Sequence, residues 1–215
     1  MDDLETLIWE GIARTQDYSG IHAGHFDYPC LRYSYYKIVE PELFAHTNRK
    51  ERLRLWIGEA LHEKRLLPVQ DIFPPNKSVE YGGCYFTPDE YYMGILLEKK
   101  SMTHFSRLPK SLQKPNSHHV LRCEHYRMAL ELNNIPVKNT ALLYIDYLAP
   151  ALFMFQTAND TLKLRSVEET KATFDIQNSE LKTDVSNKTL PPRCISWLCD
   201  YDPAFTKCFT ESGRE

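Results

Sequence analysis

One short segment constrains the fold of this chain more than any other. It is the apolar run of residues 94–97, which is followed directly by Glu98, Lys99 and Lys100. The apolar run predicts a buried β-strand. Because residues two apart in a strand point to the same face, Glu98 and Lys100 should lie side by side. A carboxylate can hold a hard divalent cation, and an adjacent ammonium can stabilise charge on a phosphate. The pair is therefore a candidate site for metal-dependent phosphodiester hydrolysis, although Glu-x-Lys is also typical of a strand that ends in solvated charges.

Length and composition set the broad class of the protein. A chain of 215 residues is long enough for one substantial core, and 42% hydrophobic with 26% charged residues is typical of an ordinary soluble domain. We expect a single domain over residues 1–215. No apolar run reaches the roughly 18 residues of a membrane span, and residues 1–3 begin no signal peptide, so the sequence predicts a cytoplasmic protein with no membrane partner. The net charge of −3 predicts no strong non-specific DNA binding but allows a locally basic groove.

The six cysteines are unevenly distributed along the chain. Cys30 lies far upstream of a cluster near the C-terminus. That cluster consists of Cys194, Cys199 and Cys208. In a cytosolic chain, clustered cysteines bind metal more often than they form disulfides, and four thiolates suit a tetrahedral zinc or an iron–sulfur cluster. Cys84 and Cys123 fall inside a predicted strand and a predicted helix, and we expect neither to be a ligand.

Two long predicted helices carry the other polar candidates. Over residues 48–67, apolar residues recur at helical spacing on two opposite sides, so this helix should be sandwiched and should carry His62 into a contact. A packed structural histidine and a metal ligand are equally good interpretations of His62. A second helix is predicted over residues 117–133, with Arg122 and Tyr126 pointing inward. An inward arginine needs an anion, which is either a nucleic-acid phosphate or a neighbouring acid.

Strands are predicted on both sides of the second helix. Residues 79–86 and 91–97 predict one hairpin whose turn is residues 87–90. Two more strands are predicted over residues 141–147 and 151–156. Beyond them, amphipathic and polar stretches alternate without favouring one element.

The order of these parts resembles the RecB-like branch of the PD-(D/E)XK nuclease superfamily that carries an iron–sulfur cluster. Residues 27–33, around Cys30, resemble its first cluster cysteine, and residues 58–63 resemble its Gly-x-x-x-His helix. Residues 97–101 match its Glu-x-Lys element, residues 122–126 stand where the family has Gln-x-x-x-Tyr, and the three late cysteines match its terminal trio. Size and layout are most similar to the CRISPR-associated adaptation nucleases.

The resemblance implies an α/β fold with a restriction-endonuclease-like mixed sheet flanked by helices. It implies a 4Fe–4S cluster on the four cysteines, which joins the N- and C-terminal segments. It also implies that Mn²⁺ or Mg²⁺ binds at His62 and Glu98, that Lys100 is the catalytic lysine, and that Arg122 and Tyr126 bind DNA.

The implied function is a metal-dependent DNA exonuclease that trims prespacer ends in CRISPR adaptation, an antiviral defence. Its implied partners are single-stranded or overhanging DNA ends and the CRISPR integrase proteins.

The chain differs from the family pattern at the metal site. The family has an aspartate on the first strand of the hairpin, and the corresponding residues 84–86 hold no carboxylate. Asp89 lies in the predicted turn and becomes a metal ligand only if the hairpin is shorter than usual. Arg122 replaces the family's glutamine. A catalytically weak or inactive DNA-binding or assembly subunit that keeps the fold and the cluster is therefore an alternative function, and a zinc-stabilised protein without a nuclease fold is a third.

Overall fold

The computed structural model describes residues 20–27, 30–44, 49–68, 77–102, 114–146, 151–192 and 194. The α-helices in these ranges are α1 (Leu31–Val39), α2 (Arg49–Glu63), α3 (Ser117–Leu132) and α4 (Val167–Asn187). The strands are β1 (Val79–Tyr81), β2 (Cys84–Phe86), β3 (Glu90–Tyr92), β4 (Ile95–Met102), β5 (Asn139–Asp146) and β6 (Ala151–Gln156). Among the helices of the described ranges, none has the length and apolar character needed to cross a membrane.

A mixed sheet of four strands forms the centre of the fold, in the order β3-β4-β5-β6. Strands β3 and β6 run antiparallel to their neighbours, whereas β4 and β5 are parallel. A parallel pair needs a crossover connection, and α3 lies in the connection between β4 and β5. Helix α2 contacts β4 on the face to which Lys99 points, and α3 contacts the face to which Glu98 points. The fold is therefore a mixed α/β fold with helices flanking a mixed sheet, as predicted at that level.

The prediction of one long hairpin over residues 79–97 is wrong. Strands β1 and β2 pair in a separate two-stranded sheet, and β3 pairs with β4. Both turns, Gly82-Gly83 and Met93-Gly94, have positive φ at their two central residues, which is the conformation of a two-residue type I′ turn. Residues 87–89 therefore connect two hairpins, and Asp89 stands immediately before β3.

Helix α4 is the element that the sequence pattern did not predict. Ser166 and Glu169 form a capping box at its start: Ser166 Oγ accepts from the Glu169 N–H at 3.1 Å, and Glu169 Oε2 accepts from the Ser166 N–H at 2.9 Å. The 21-residue helix is polar around most of its surface and enters the core mainly through Phe174 and Leu181. Its narrow apolar stripe explains why periodicity alone gave no clear signal.

The core between α3 and α4 contains an unusual histidine. His125 is fully buried, and its ring lies 6.4 Å from that of Phe26 and 5.6 Å from that of Phe174. Neither ring nitrogen has a hydrogen-bond partner among the residues that the structure describes. Burial lowers the pKa of His125 to about 4, because the apolar surroundings disfavour the imidazolium.

This histidine should make the fold sensitive to acid. A histidine in the unfolded chain titrates near pH 6.5, so between pH 6.5 and pH 4 the unfolded chain binds a proton that the folded chain does not. Stability from a neutral His125 is therefore complete above pH 6.5 and is lost as the pH falls towards 4. We expect His125→Phe to be more stable than the wild type at pH 7 and to remove about 2 kcal/mol of the loss between pH 6.5 and 4.5.

Urea unfolding of both proteins at the two pH values measures this effect. His125→Gln, which cannot titrate but stays polar, should lose the same part of the pH dependence without the gain in stability. Equal acid sensitivity in all three proteins would contradict the assignment.

Candidate functional site

The charged residues singled out by the sequence meet at one end of the β3–β4 hairpin. Continuing the register in which Glu90 pairs with Leu97 places Asp89 opposite Glu98. Lys100 Nζ contacts Glu98 Oε1, as the two-residue spacing predicts. Asp89 Oδ2 accepts a hydrogen bond from the Lys99 N–H at 2.6 Å. The shorter hairpin thus brings to Glu98 the carboxylate that residue counting left in a turn.

Helix α2 brings His62 to the same place. His62 Nδ1 lies 3.0 Å from Asp89 Oδ1. One turn earlier in the helix, a Cβ atom on Gly58 would lie 3.1 Å from Ser101 Oγ, so a glycine allows α2 to approach β4 closely. A neutral imidazole that donates from Nδ1 keeps its lone pair on Nε2, the nitrogen then available to a cation.

The pKa values of the two buried site carboxylates shift in opposite directions, because their neighbours differ. Burial first, and then the charge of Asp89, raise the pKa of Glu98 to about 7 against the opposing charges of Lys100 and Arg122. Burial also disfavours charge on Asp89, but the hydrogen bond and charge of His62, the charge of Lys100 and the Lys99 N–H together lower its pKa. Asp89 is therefore the firmly ionised member of the pair, and Glu98 holds its charge weakly without a further cation.

Arg122 points into this site from α3 and meets acids there. Its Nε donates to Asp27 Oδ2 at 2.7 Å, its Nη2 contacts the same oxygen, and its Nη1 lies 3.7 Å from Glu98 Oε1. Of the two anions that the sequence left open, the structure shows the neighbouring acid. Tyr126 is 7% exposed and packs in the apolar core. Contact of either residue with DNA stays a prediction.

A buried ion pair on the opposite face of β4 supports the site. Lys99 Nζ lies 2.8 Å from Glu90 Oε1, and both side chains are 1% exposed. Lys99 Nζ also donates to the carbonyl oxygens of His62 and Lys64, at 2.8 and 2.7 Å. Glu90 in turn accepts from the backbone N–H groups of Leu66 at 2.9 Å and of Leu67 at 2.6 Å. The pair therefore binds the C-terminal end of α2 to the sheet next to His62.

Sequence reasoning missed the pairing of Lys99 with Glu90 and also missed Asp27. The signal for Lys99 lay in the strand alternation, since a residue between Glu98 and Lys100 must face the other way and needs its own acid. Asp27 gave no such signal, because its partner Arg122 is 95 residues away in the sequence.

The cysteine prediction is only partly within the described residues. Cys30 is the residue before α1 and is buried, and Cys194 is half-buried. Arg32 Nε donates to the Pro191 carbonyl oxygen at 2.8 Å, so α1 lies beside the segment that leads to Cys194. The other two predicted ligands, Cys199 and Cys208, lie outside the described residues.

The two cysteines not expected to bind metal are fully buried. Burial raises the pKa of Cys84 to about 11 and that of Cys123 well above its usual value, which favours the neutral thiol. A metal ligand would be a thiolate.

The ligand groups of the site suit one hard cation that keeps several bound waters. They do not suit a cation that is enclosed entirely by protein ligands. Within the part of the chain that the structure describes, no three His, Cys, Asp or Glu side chains converge as a metal ligand set. One buried oxygen nevertheless calls for a partner: Glu98 Oε2 makes no hydrogen bond to any described residue. A buried carboxylate oxygen is costly without a donor or cation, and Mg²⁺ or Mn²⁺ commonly binds through one or two carboxylates plus waters.

Comparison with known proteins supports the fold. No protein-family model matches the chain, and no curated protein matches it. The chain is similar to the solved structure described as "Crystal structure of SSO0001", with a TM-score of 0.50 and 16% sequence identity, over 94% of this chain and 92% of that one. This likeness shows the fold alone.

We expect the buried pair to be essential to stability. Lys99→Ala would leave Glu90 buried without its cation, which typically costs about 3–5 kcal/mol. The double variant Lys99→Met, Glu90→Gln removes both charges and should be less destabilised than Lys99→Ala. Arg127→Ala, which breaks the more exposed pair with Glu131, should cost less than about 1 kcal/mol.

Urea unfolding at pH 7 measures all three variants against the wild type. A Lys99→Ala protein as stable as Arg127→Ala would contradict the role of the pair.

Proposed function

We propose that this chain is a metal-dependent DNA exonuclease of the RecB-like iron–sulfur family, with a restriction-endonuclease-like fold. The observation that carries the proposal is the position of Asp89 immediately before β3, where it accepts from the Lys99 N–H and the continued β3–β4 register sets it opposite Glu98, with Lys100 in contact with Glu98. Pro88-Asp89 and Glu98-x-Lys100 then supply the acidic and basic groups after which the nuclease superfamily is named. The mixed sheet with helices on both faces supports the same assignment.

The residues that would hold a divalent cation are Asp89, Glu98, the backbone carbonyl of Lys99 and His62. Such an ion, when bound, supplies a more acidic water and neutralises charge on the phosphoryl oxygens. The other side chains of the site would orient these ligands and the substrate. His62 and the Lys99 N–H hold the Asp89 carboxylate in one orientation, through contacts of 3.0 and 2.6 Å.

Lys100 is the residue that would act on the nucleophile. Its ammonium contacts Glu98 and its side chain is 14% exposed, so it lies between the buried carboxylate and the surface. From there it can orient an attacking water or stabilise charge that develops on the phosphate. Arg122, which is 27% exposed, offers a second cation near Glu98. These two side chains are the basis for proposing a nucleic-acid phosphate as the substrate group.

The iron–sulfur cluster belongs to the same proposal. Cys30, Cys194, Cys199 and Cys208 would ligate it and would join the two segments that Arg32 and Pro191 already connect. Holding residues so far apart in the chain stabilises the fold by restricting the unfolded state. By resemblance, the substrate would be single-stranded or overhanging DNA ends, trimmed as prespacers in concert with CRISPR integrase proteins.

Cleavage of end-labelled single-stranded and overhanging DNA tests the enzymatic proposal. We expect Mn²⁺ to support more cleavage than Mg²⁺, because a histidine among the ligands suits Mn²⁺ better. Glu98→Gln, Asp89→Asn and Lys100→Ala should each lower the rate at least about 100-fold. Glu131→Gln, an acid of α3 paired with Arg127, should leave the rate unchanged.

Robust cleavage in Glu98→Gln would show that the active site is elsewhere. DNA binding without cleavage in either metal would favour the alternative function, an inactive binding or assembly subunit.

Iron and sulfide analysis after anaerobic purification tests the cluster. We expect about four iron atoms per chain and visible absorbance, as a 4Fe–4S cluster requires. The double variant Cys194→Ala, Cys199→Ala should lose both signals, whereas the matched variant Cys123→Ala should keep them because that thiol is buried in the core. Full iron content in the double variant would overturn the ligand assignment, and zinc in place of iron would favour the zinc-stabilised alternative.

A further inference from the structure

The guanidinium of Arg122 lies between two buried carboxylates that belong to different parts of the chain. It binds Asp27, before α1, through Nε at 2.7 Å, and its Nη1 is 3.7 Å from Glu98 in β4. The Asp27 side chain is 2% exposed and that of Glu98 is 1% exposed. Two carboxylates that water hardly reaches thus share one fixed cation.

Each of these carboxylates also has an oxygen with unused capacity. Asp27 Oδ1 and Glu98 Oε2 are buried and make no hydrogen bond to any residue that the structure describes. One of the two oxygens of each carboxylate is therefore without a hydrogen-bond donor among the described residues. Buried carboxylate oxygens are the ligands that hard divalent cations prefer.

The charges at the site decide how many divalent ions it can hold. Asp27, Asp89 and Glu98 face Lys100 and Arg122, so with His62 neutral the fully ionised cluster has one net negative charge. One divalent ion changes that charge to one positive, and a second would raise it to three positive. In a poorly solvated site, such an excess of like charge is strongly unfavourable.

In two-metal nucleases the ions lie about 3.5–4 Å apart and share a carboxylate. If one ion lies between Asp89 and Glu98, a second would have to bridge Glu98 and Asp27. Arg122 already stands between those two acids and offsets one of their two negative charges. A guanidinium is also permanently charged, so a change of pH does not remove its positive charge from the position between the two acids.

We propose that Arg122, held by Asp27, takes the place of a second divalent cation, so that the site binds one divalent ion per chain. This inference rests on the proposed metal-dependent function. It makes Asp27 and Arg122 positioning residues of the metal site, a role that Arg122 has in addition to the proposed contact with a DNA phosphate. Loss of the guanidinium charge then opens a second ion site between Asp27 and Glu98.

Counting bound Mn²⁺ ions tests the proposal without any measurement of cleavage. Titration calorimetry and the electron paramagnetic resonance signal of free Mn²⁺ give the number of ions per chain. The central variant is Arg122→Gln, which removes the charge but can still donate a hydrogen bond to Asp27. We expect one ion in the wild type and two in Arg122→Gln, and one again when Asp27→Asn is added to that variant.

Two further variants separate charge from general damage to α3. Arg122→Lys keeps a cation and should bind one ion. Arg127→Gln removes an arginine of the same helix that is equally exposed, at 27%, but pairs with Glu131 away from the site, and it should also bind one ion. Circular dichroism confirms that each variant is folded. If Arg122→Gln does not fold, Arg122→Met is counted in its place, and the wild-type count decides independently.

The outcomes distinguish this inference from the proposed function. Two ions in the wild type, or one ion with unchanged affinity in Arg122→Gln, would overturn the inference and leave the metal-dependent function standing. No Mn²⁺ in the wild type would overturn both. If the second ion persists when Asp27→Asn is added to Arg122→Gln, that ion binds elsewhere. This result would also overturn the inference.

Discussion

The buried ion pair between Lys99 and Glu90 is the interaction on which the site depends. It joins neighbouring strands of the sheet and, through the carbonyl oxygens of His62 and Lys64, fixes the end of α2. A helix end leaves carbonyl groups without intrahelical partners, and here a lysine from a strand supplies the donors. The position of His62 beside Asp89 therefore follows from a contact on the far side of β4.

The opposite face of β4 has a less complete balance of charge. Glu98 meets Lys100 and Arg122 but keeps a buried oxygen without a partner, and burial raises its pKa to about 7. Asp89, held by His62 and a backbone N–H, has its pKa lowered instead. Environments that separate the pKa values of two neighbouring acids are typical of functional sites, although structural ion pairs produce the same effect.

Local patterns predicted the parts of the site that depend on strand and helix periodicity. The contact between Glu98 and Lys100 follows from a spacing of two in a strand, and the inward direction of Arg122 follows from the helix pattern. The alternation of apolar residues does not reveal that two type I′ turns make two short hairpins, so it predicts Asp89 in a turn and not beside a strand.

Other parts of the site could not be predicted because they depend on distant pairing. The bonds of Arg122 to Asp27 and of Arg32 to Pro191 join residues 95 and 159 positions apart. No local spacing encodes such a contact. Helix α4 was missed for another reason, since most of its surface is polar and only a narrow stripe meets the core.

The alternation of charge along β4 also bears on how this protein can change during evolution. Glu98 and Lys100 face the site, and Lys99 between them faces α2. A one-residue insertion or deletion in this strand would turn every following side chain to the other face. Lys99 would then point into the site, and the site residues beside it would point towards α2. The site and the contact between β4 and α2 would therefore be lost together. We expect a change of length in this strand to damage both faces at once, whereas a single substitution damages only one.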